Sequence, residues 1–150
     1  MYETIPEFLR YCAHKYNSKT AIQIRRFLRT TKFSYTEVEQ YSRKIALFLT
    51  SQGLKRGDSV LIWAPNMPEW TLVFFGSLSA GLTVIPVGLN SSAELVRKYI
   101  GQTKPKALFH SKYYQAKING SEKKNIKRFF LEEIIGYIKN MNEQTIEAIK

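Results

Sequence analysis

The sequence contains a single cysteine, Cys12, so no internal disulfide can form, and the reading that follows is a reducing, cytoplasmic setting. Cys12 sits between Tyr11 and Ala13 in a helical pattern and reads as a small core residue. Histidine is nearly as scarce. His14 and His110 lie far apart and have no cysteine or carboxylate at ligand spacing, so no metal site is expected. No apolar run approaches the roughly 18 residues needed to span a bilayer. Residues 1–7 lack a basic segment leading into an apolar one, so no secretory signal is read. Neither Gly-x-Gly-x-x-Gly nor Gly-x-x-x-x-Gly-Lys-[Ser/Thr] occurs. No catalytic constellation stands out anywhere in the chain.

Acidic residues are few as well: 12 against 23 lysines and arginines, a formal net charge of +11. Such an excess points to an anionic partner (nucleic acid, phosphate or a membrane surface), to lysines scattered over solvated positions, or to an acidic remainder outside this chain. The basic residues are spread along the chain, and only Arg25, Arg26, Arg29 and Lys32 cluster. That distribution argues against nucleic acid as the partner.

What is plentiful is apolar: 44% of the 150 residues are hydrophobic and 13% aromatic, enough for one globular core. The organising stretch is 53–87. It reads as turn, buried strand, capped helix, glycine stop and second buried strand, one βαβ unit. Before it, Thr4-x-x-Glu7 with Pro6 opens a helix. Residues 21–27 and 30–34 form a hairpin that carries the basic cluster. Its charged side chains also discourage edge-to-edge pairing. Ser34-x-x-Glu37 opens an amphipathic helix through Val38, Tyr41, Ile45, Phe48 and Leu49, which Gly53 stops.

Within the unit, residues 59–63 are a strand and Asp58 is a turn residue at its start. Asn66-x-x-Glu69 with Pro68 caps a helix that is apolar almost all round. Gly76, Ala80 and Gly81 are small enough to approach the sheet. Residues 83–87 are the second strand, ended or bulged by Pro86. Ser91-x-x-Glu94 caps the next helix. Strands at 106–109 and 126–130, a short helix at 113–118, an exposed loop at 119–125 and a helix at 131–138 follow. Strand centres near 61, 85, 107 and 128 alternate with helices. The expected fold class is α/β, a flavodoxin-like parallel sheet flanked by helices, with an N-terminal helix and edge hairpin. The expected division is 1–34 for helix and hairpin, 35–140 for the βα repeats and 141–150 for a tail.

In such a sheet, ligands bind beyond the carboxyl ends of the strands. Those loops are Ala64-Pro65-Asn66, Gly88-Leu89-Asn90-Ser91 and His110-Ser111-Lys112. Helix N-termini and one lysine there suit a phosphate. Simple capping by Asn66 and Ser91, with Glu69 and Glu94 adding negative charge, is the competing reading. Trp63 and Trp70 read as core.

Four motifs in register then resemble the N-terminal part of the AMP-forming adenylate enzymes, the superfamily of acyl-CoA synthetases, luciferases and peptide-synthetase adenylation domains. Phe33-Ser-Tyr35-Thr-Glu37-Val38 is similar to Thr-Tyr-x-Glu-Leu. Gly53-Leu-Lys-Arg-Gly57-Asp58-Ser-Val60 is similar to Gly-Val-x-x-Gly-Asp-x-Val. Pro65-Asn66-Met-Pro68-Glu69-Trp70 is similar to Pro-Asn-x-x-Glu-Trp, and Ala80, Gly81 and Pro86 fall where the family has Ala-Gly-x-x-x-x-Pro. Ser91 to Ile100, Lys104 to Phe109 and Phe130-Leu131-Glu132-Glu133 look most like the long-chain fatty acyl-CoA synthetase branch.

The resemblance implies a ligase that uses ATP and Mg²⁺ to make an acyl-adenylate and then transfers the acyl group to CoA. It implies that the Ser/Thr/Gly-rich phosphate loop, the later motifs and the C-terminal domain follow the matched region. This chain alone is then expected to bind no cofactor, to carry no catalytic residue and to be inactive. Gly88 and Lys112 are the positions the resemblance places near CoA, although Gly-Leu-Asn-Ser-Ser at 88–92 departs from the commoner Asn-Pro or Gly-Gly versions. The expected partners are the remainder of the synthetase, a second copy through apolar surface left uncovered around residues 67–80, and a membrane surface met by the basic hairpin. The alternative to the synthetase is a stand-alone basic binding or scaffold module of the same shape.

Overall fold

A computed structural model describes residues 2–118, 126–139 and 141. The expected loop at 119–125 and nearly all of the tail lie outside them. Helix α1 (Ile5–Tyr16) begins at Thr4, whose hydroxyl accepts the Glu7 N–H. Glu7 does not complete a reciprocal box, because its carboxylate accepts the N–H of Glu3 instead. Leu9 and Cys12 are buried. Strands β1 (Thr20–Arg26) and β2 (Arg29–Ser34) form the antiparallel hairpin. Helix α2 (Tyr35–Ser51) has the full capping box: Ser34 Oγ accepts the Glu37 N–H, and the Glu37 carboxylate accepts the Ser34 N–H at 2.7 Å.

The main sheet comprises β3 (Ser59–Trp63), β4 (Thr83–Pro86), β5 (Ala107–His110) and β6 (Lys127–Phe130), all parallel, in the order β4-β3-β5-β6. Helices α3 (Pro68–Ser79) and α4 (Ala93–Thr103) are the crossovers from β3 to β4 and from β4 to β5. A 3₁₀ turn (Lys112–Tyr114) runs into α5 (Gln115–Ile118), and another (Leu131–Glu133) into α6 (Ile134–Ile138). Among the described residues, no helix is long and apolar enough to cross a membrane.

The strand sequences explain the layering. Side chains alternate across a strand. Val60 and Ile62 of β3 join Phe109 of β5 under α2, α3 and α6, while Leu61 and Trp63 join Leu108 under α4 and Tyr114. β3 and β5 are central and buried on both faces, whereas β4 is an edge strand, exposed at Thr83 and half-buried at Val84 and Ile85. The expected burial of β4 is therefore corrected. Its edge position is also what accommodates Pro86. Val87 N–H donates to Ile62 O at 2.9 Å, so the nitrogen one residue earlier faces the open edge, where no donor is needed.

Two cap assignments shift. Pro68 takes the first helical position of α3, which makes Met67 the extended residue before it (φ −149°, ψ 153°) and leaves Asn66 outside the helix. Met67 offers no side-chain cap. Helix α4 is capped by Ser92, whose hydroxyl accepts the Leu95 N–H, while the N–H of Ser91 turns back to Gly88 O at 3.0 Å.

Helix α3 is not left bare. Trp70, Phe74 and Phe75 are half-buried against the core, and Leu72 and Val73 are fully buried. Of the small residues, Gly76 serves helix packing and not the sheet. A Cβ there would stand 2.5 Å from Ile45 Cγ2 and 2.9 Å from Ser42 O, both on α2. The large apolar side chains that are exposed lie elsewhere, on α1 (Ile5, Phe8, Tyr11), beside it (Tyr2), at the hairpin tip (Phe27, Leu28) and at the sheet's carboxyl edge (Leu89, Tyr113).

Candidate functional site

Four parallel strands deliver their carboxyl ends to one edge, and the loops that follow build the candidate site there. Between them lies an open groove of about 500 Å³ lined by Pro65, Leu89, Asn90, Ser91, Tyr113 and Tyr114. Its floor is set from the core. Trp63, fully buried at the end of β3, stacks on Tyr114 with ring centroids 4.3 Å apart and planes 11° from parallel. Tyr114 donates its hydroxyl to Leu89 O at 3.0 Å, tying the loop after β4 to the turn after β5. Burial, and then neighbouring Tyr113, raise the Tyr114 phenol above its ordinary value, so it stays protonated and remains a donor. Tyr113 packs edge-on against Tyr114 at 5.1 Å and is 76% exposed at the rim.

On the β6 side the edge is closed by carboxylates. Glu132 accepts from Ser111 Oγ and from the Lys112 N–H at 3.1 Å, while Ser111 Oγ accepts the Tyr113 N–H. Lys112 Nζ stands 2.6 Å from Glu133 Oε1 and 5.4 Å from the centroid of Phe130. Glu133 also accepts the Tyr137 hydroxyl at 2.7 Å. The hydrogen bond from Lys112, and then that from Tyr137, hold the Glu133 carboxyl below its usual range, and Glu133 in turn raises Lys112.

The two positions expected near CoA thus differ. Gly88 is exposed, and a Cβ there would meet only Ser91 Oγ, at 3.6 Å. Lys112 is exposed but already paired. Both stand on the carboxyl edge, and neither lines the groove. Glu132 and Tyr114 were hidden from sequence reasoning because their partners lie 21 and 25 residues away. The one available signal was the Ser111 cap before two tyrosines.

His110 ends β5, 3% exposed, with Nδ1 3.1 Å from Ser111 O and its ring edge-on to Phe130 at 5.0 Å. Burial depresses its pKa below 6.5; the Ser111 carbonyl opposes this, Arg128 adds to it and Glu132 opposes it. The neutral imidazole is the folded form, so stability is full above 6.5 and falls as pH drops through that value towards the folded pKa. A His110→Phe variant is expected to flatten urea midpoints between pH 7 and 5.5, the fall below the carboxylate range remaining; an unchanged slope would show that His110 is not the group responsible.

These residues do not fit a nucleoside triphosphate with Mg²⁺. Among the described residues no three of His, Cys, Asp or Glu converge, the edge lysine is already neutralised, and Glu132 occupies the exposed backbone N–H of its turn. What the edge provides is a shaped, partly aromatic wall.

The parallel sheet flanked by helices, with its antiparallel hairpin, is the fold of the N-terminal subdomains of adenylate-forming enzymes. The chain belongs to the AMP-binding enzyme family, whose profile matches residues 9–144. It is 35% identical over 102 residues to the long-chain-fatty-acid–CoA ligase heimdall of Drosophila melanogaster, covering 63% of this chain and 14% of that protein. It is 33% identical over 67 residues to 4-coumarate–CoA ligase 1 of Petroselinum crispum, covering 44% and 12%. Among solved structures, the N-terminal subdomain of Klebsiella oxytoca NpsA has the same fold, with a TM-score of 0.76, 17% identity and coverage of 95% of this chain and 33% of that one. A fatty acyl-adenylate ligase from L. pneumophila gives 0.75 at 21% identity, covering 93% and 25%. The chain spans a fifth or less of the length of these curated relatives and a quarter to a third of the solved chains.

Proposed function

We propose that the protein carrying this segment is an ATP-dependent, AMP-forming fatty acid–CoA ligase, converting a fatty acid, ATP and CoA into acyl-CoA, AMP and pyrophosphate, and that the 150-residue chain alone does not catalyse it. The observation that carries the reading is family membership over residues 9–144; among the described residues no group of His, Cys, Asp or Glu is placed to hold the metal. The fatty acid as substrate rests on the likeness to the Drosophila ligase. Within the whole enzyme this chain supplies a wall. β3 and β5 fix the edge, Tyr114 pins the loop after β4, and Glu132 holds the turn after β5. Gly88 and Lys112 border CoA in this reading, Gly88 through its uncrowded backbone and Lys112 from its exposed position on the same edge.

The test is to extend the reading frame past Lys150 and assay the longer protein with a series of fatty acids. A Ser/Thr/Gly-rich loop ending in lysine is expected downstream, together with fatty-acid-dependent formation of acyl-CoA. A longer protein that adenylates only aromatic or amino acids would overturn the substrate assignment. A frame with no such loop would overturn the ligase.

A further inference from the structure

The β1–β2 hairpin ends in Phe27 and Leu28, which are 99% and 94% exposed. Nothing in the local fold calls for large apolar residues there. The two-residue loop places Phe27 at φ 52°, in the left-handed region, while Leu28 is outside it. Glycine, asparagine and aspartate are the residues that adopt such positions readily. Phe27 in that conformation raises the backbone energy, and neither it nor Leu28 gains burial in the described structure.

The hairpin's own charges are all of one sign. Residues 20–34 contain Arg25, Arg26, Arg29 and Lys32 and no acidic residue. Paired residues of an antiparallel ladder share a face, and the register pairs Gln23 with Lys32, Arg25 with Thr30 and Arg26 with Arg29. Arg25 and Lys32 therefore share the outer face, while Arg26 and Arg29 flank the tip on the other. Two like charges directly opposite each other are unfavourable; Arg26 reaches Glu69 at the start of α3, 3.8 Å away, which relieves part of this and ties the hairpin to the body. The inner face, Ala21, Ile22 and Phe33, packs on the core. The result is a held, protruding loop with an apolar tip and a basic collar.

We propose that this hairpin is a docking element for an anionic bilayer surface, with Phe27 and Leu28 entering the interface and Arg25, Arg29 and Lys32 facing lipid phosphates. Charge complementarity selects this occupant. A tip that dips into the headgroup boundary while a collar of cations stays among the headgroups is the arrangement by which apolar burial and electrostatic attraction add. A folded protein partner would have to match four cations with no carboxylate to set its register. The inference is independent of the ligase reading, since it uses no residue of the carboxyl edge.

The experiment is co-sedimentation of the 150-residue chain with vesicles of phosphatidylcholine alone and with about one-third phosphatidylglycerol, at low and high salt. Binding to the anionic vesicles at least about tenfold above the neutral ones, lost at high salt, is expected. Replacing Arg25, Arg29 and Lys32 with serine should lower it by about a hundredfold, at roughly fivefold per charge. Phe27→Asn with Leu28→Ser should lower it by about tenfold or more, and the asparagine suits the left-handed turn, so far-UV circular dichroism and the urea midpoint should not fall. Equal binding to both vesicle types, binding indifferent to the tip substitutions, or no sedimentation with vesicles while the collar retains RNA, would each overturn the proposal.

Discussion

Replacing Trp63 with alanine is expected to lower the unfolding free energy by about 3–5 kcal/mol, the range for truncating a large buried aromatic. Trp63 has no solvent exposure, ends a central strand and stacks on Tyr114. The loss should show as a shift in urea midpoint at constant slope. Its indole N–H has no partner in the described structure. Trp63→Phe therefore removes an orphaned donor while keeping most of the ring, and should stay within about 1.5 kcal/mol of the parent. The alanine variant should also loosen the groove. Tyr114 would lose the ring that positions it and with it the hydrogen bond to Leu89, so hydrogen exchange in the loop after β4 should accelerate. A Trp63→Ala midpoint within about 1 kcal/mol of the parent would show that the second face of the sheet does not depend on this stack.

Gly76→Ala is expected to destabilise by about 2–3 kcal/mol, against a helix-propensity gain of about 1 kcal/mol that would otherwise favour alanine. The reason is crowding. The new Cβ would meet Ile45 Cγ2 and Cβ at 2.5 and 2.6 Å and a backbone oxygen, Ser42 O, at 2.9 Å. A side chain can rotate away, but the α2 backbone moves only if the two helices part. Ile45→Ala is itself costly, since Ile45 is fully buried, but in that background Gly76→Ala should cost less than in the parent and still destabilise, because the Ile45 Cβ and Ser42 O remain. A Gly76→Ala cost that vanishes in the Ile45→Ala background would place the close approach in the Ile45 side chain alone; a stabilised single variant would mean that α2 and α3 are not this close.

These two residues also show what can be read from the chain itself. β3 and β5 were legible because continuous Val, Ile, Leu and Phe runs describe strands covered on both faces. Ser34 was legible as a cap because Ser-x-x-Glu occurs there in one register. Asn66 and Ser91 fit the same pattern, yet Pro68 fixes α3's first position, and the turn from Gly88 to Ser91 passes the α4 cap to Ser92. The pattern describes a cap's chemistry, and backbone geometry chooses its register. Gly76 was legible as a close-packing residue but not which neighbour it meets, since that depends on how two helices cross.

At the carboxyl edge, the loops were legible from strand ends, and so were the positions of Gly88 and Lys112. The pairing of Lys112 with Glu133, the clamp by Glu132 and the Trp63–Tyr114–Leu89 chain were not, because each closes over 20 or more residues. The family motifs were legible for a related reason. Gly57 at φ 88° donates to Gly81 O, Gly81 itself lies at φ 72°, and Asp58 accepts the Lys55 N–H. Such residues maintain the βαβ scaffold, and it is through that scaffold that the family is legible.

The claim that this chain is scaffold and not catalyst is tested most directly by ATP–pyrophosphate exchange. The purified 150-residue chain would be incubated with ATP, Mg²⁺, labelled pyrophosphate and a panel of fatty acids, with far-UV circular dichroism confirming that it is folded. The expected result is exchange no faster than in its absence, for every acid. Exchange that depends on a fatty acid and rises with the concentration of the chain would contradict it.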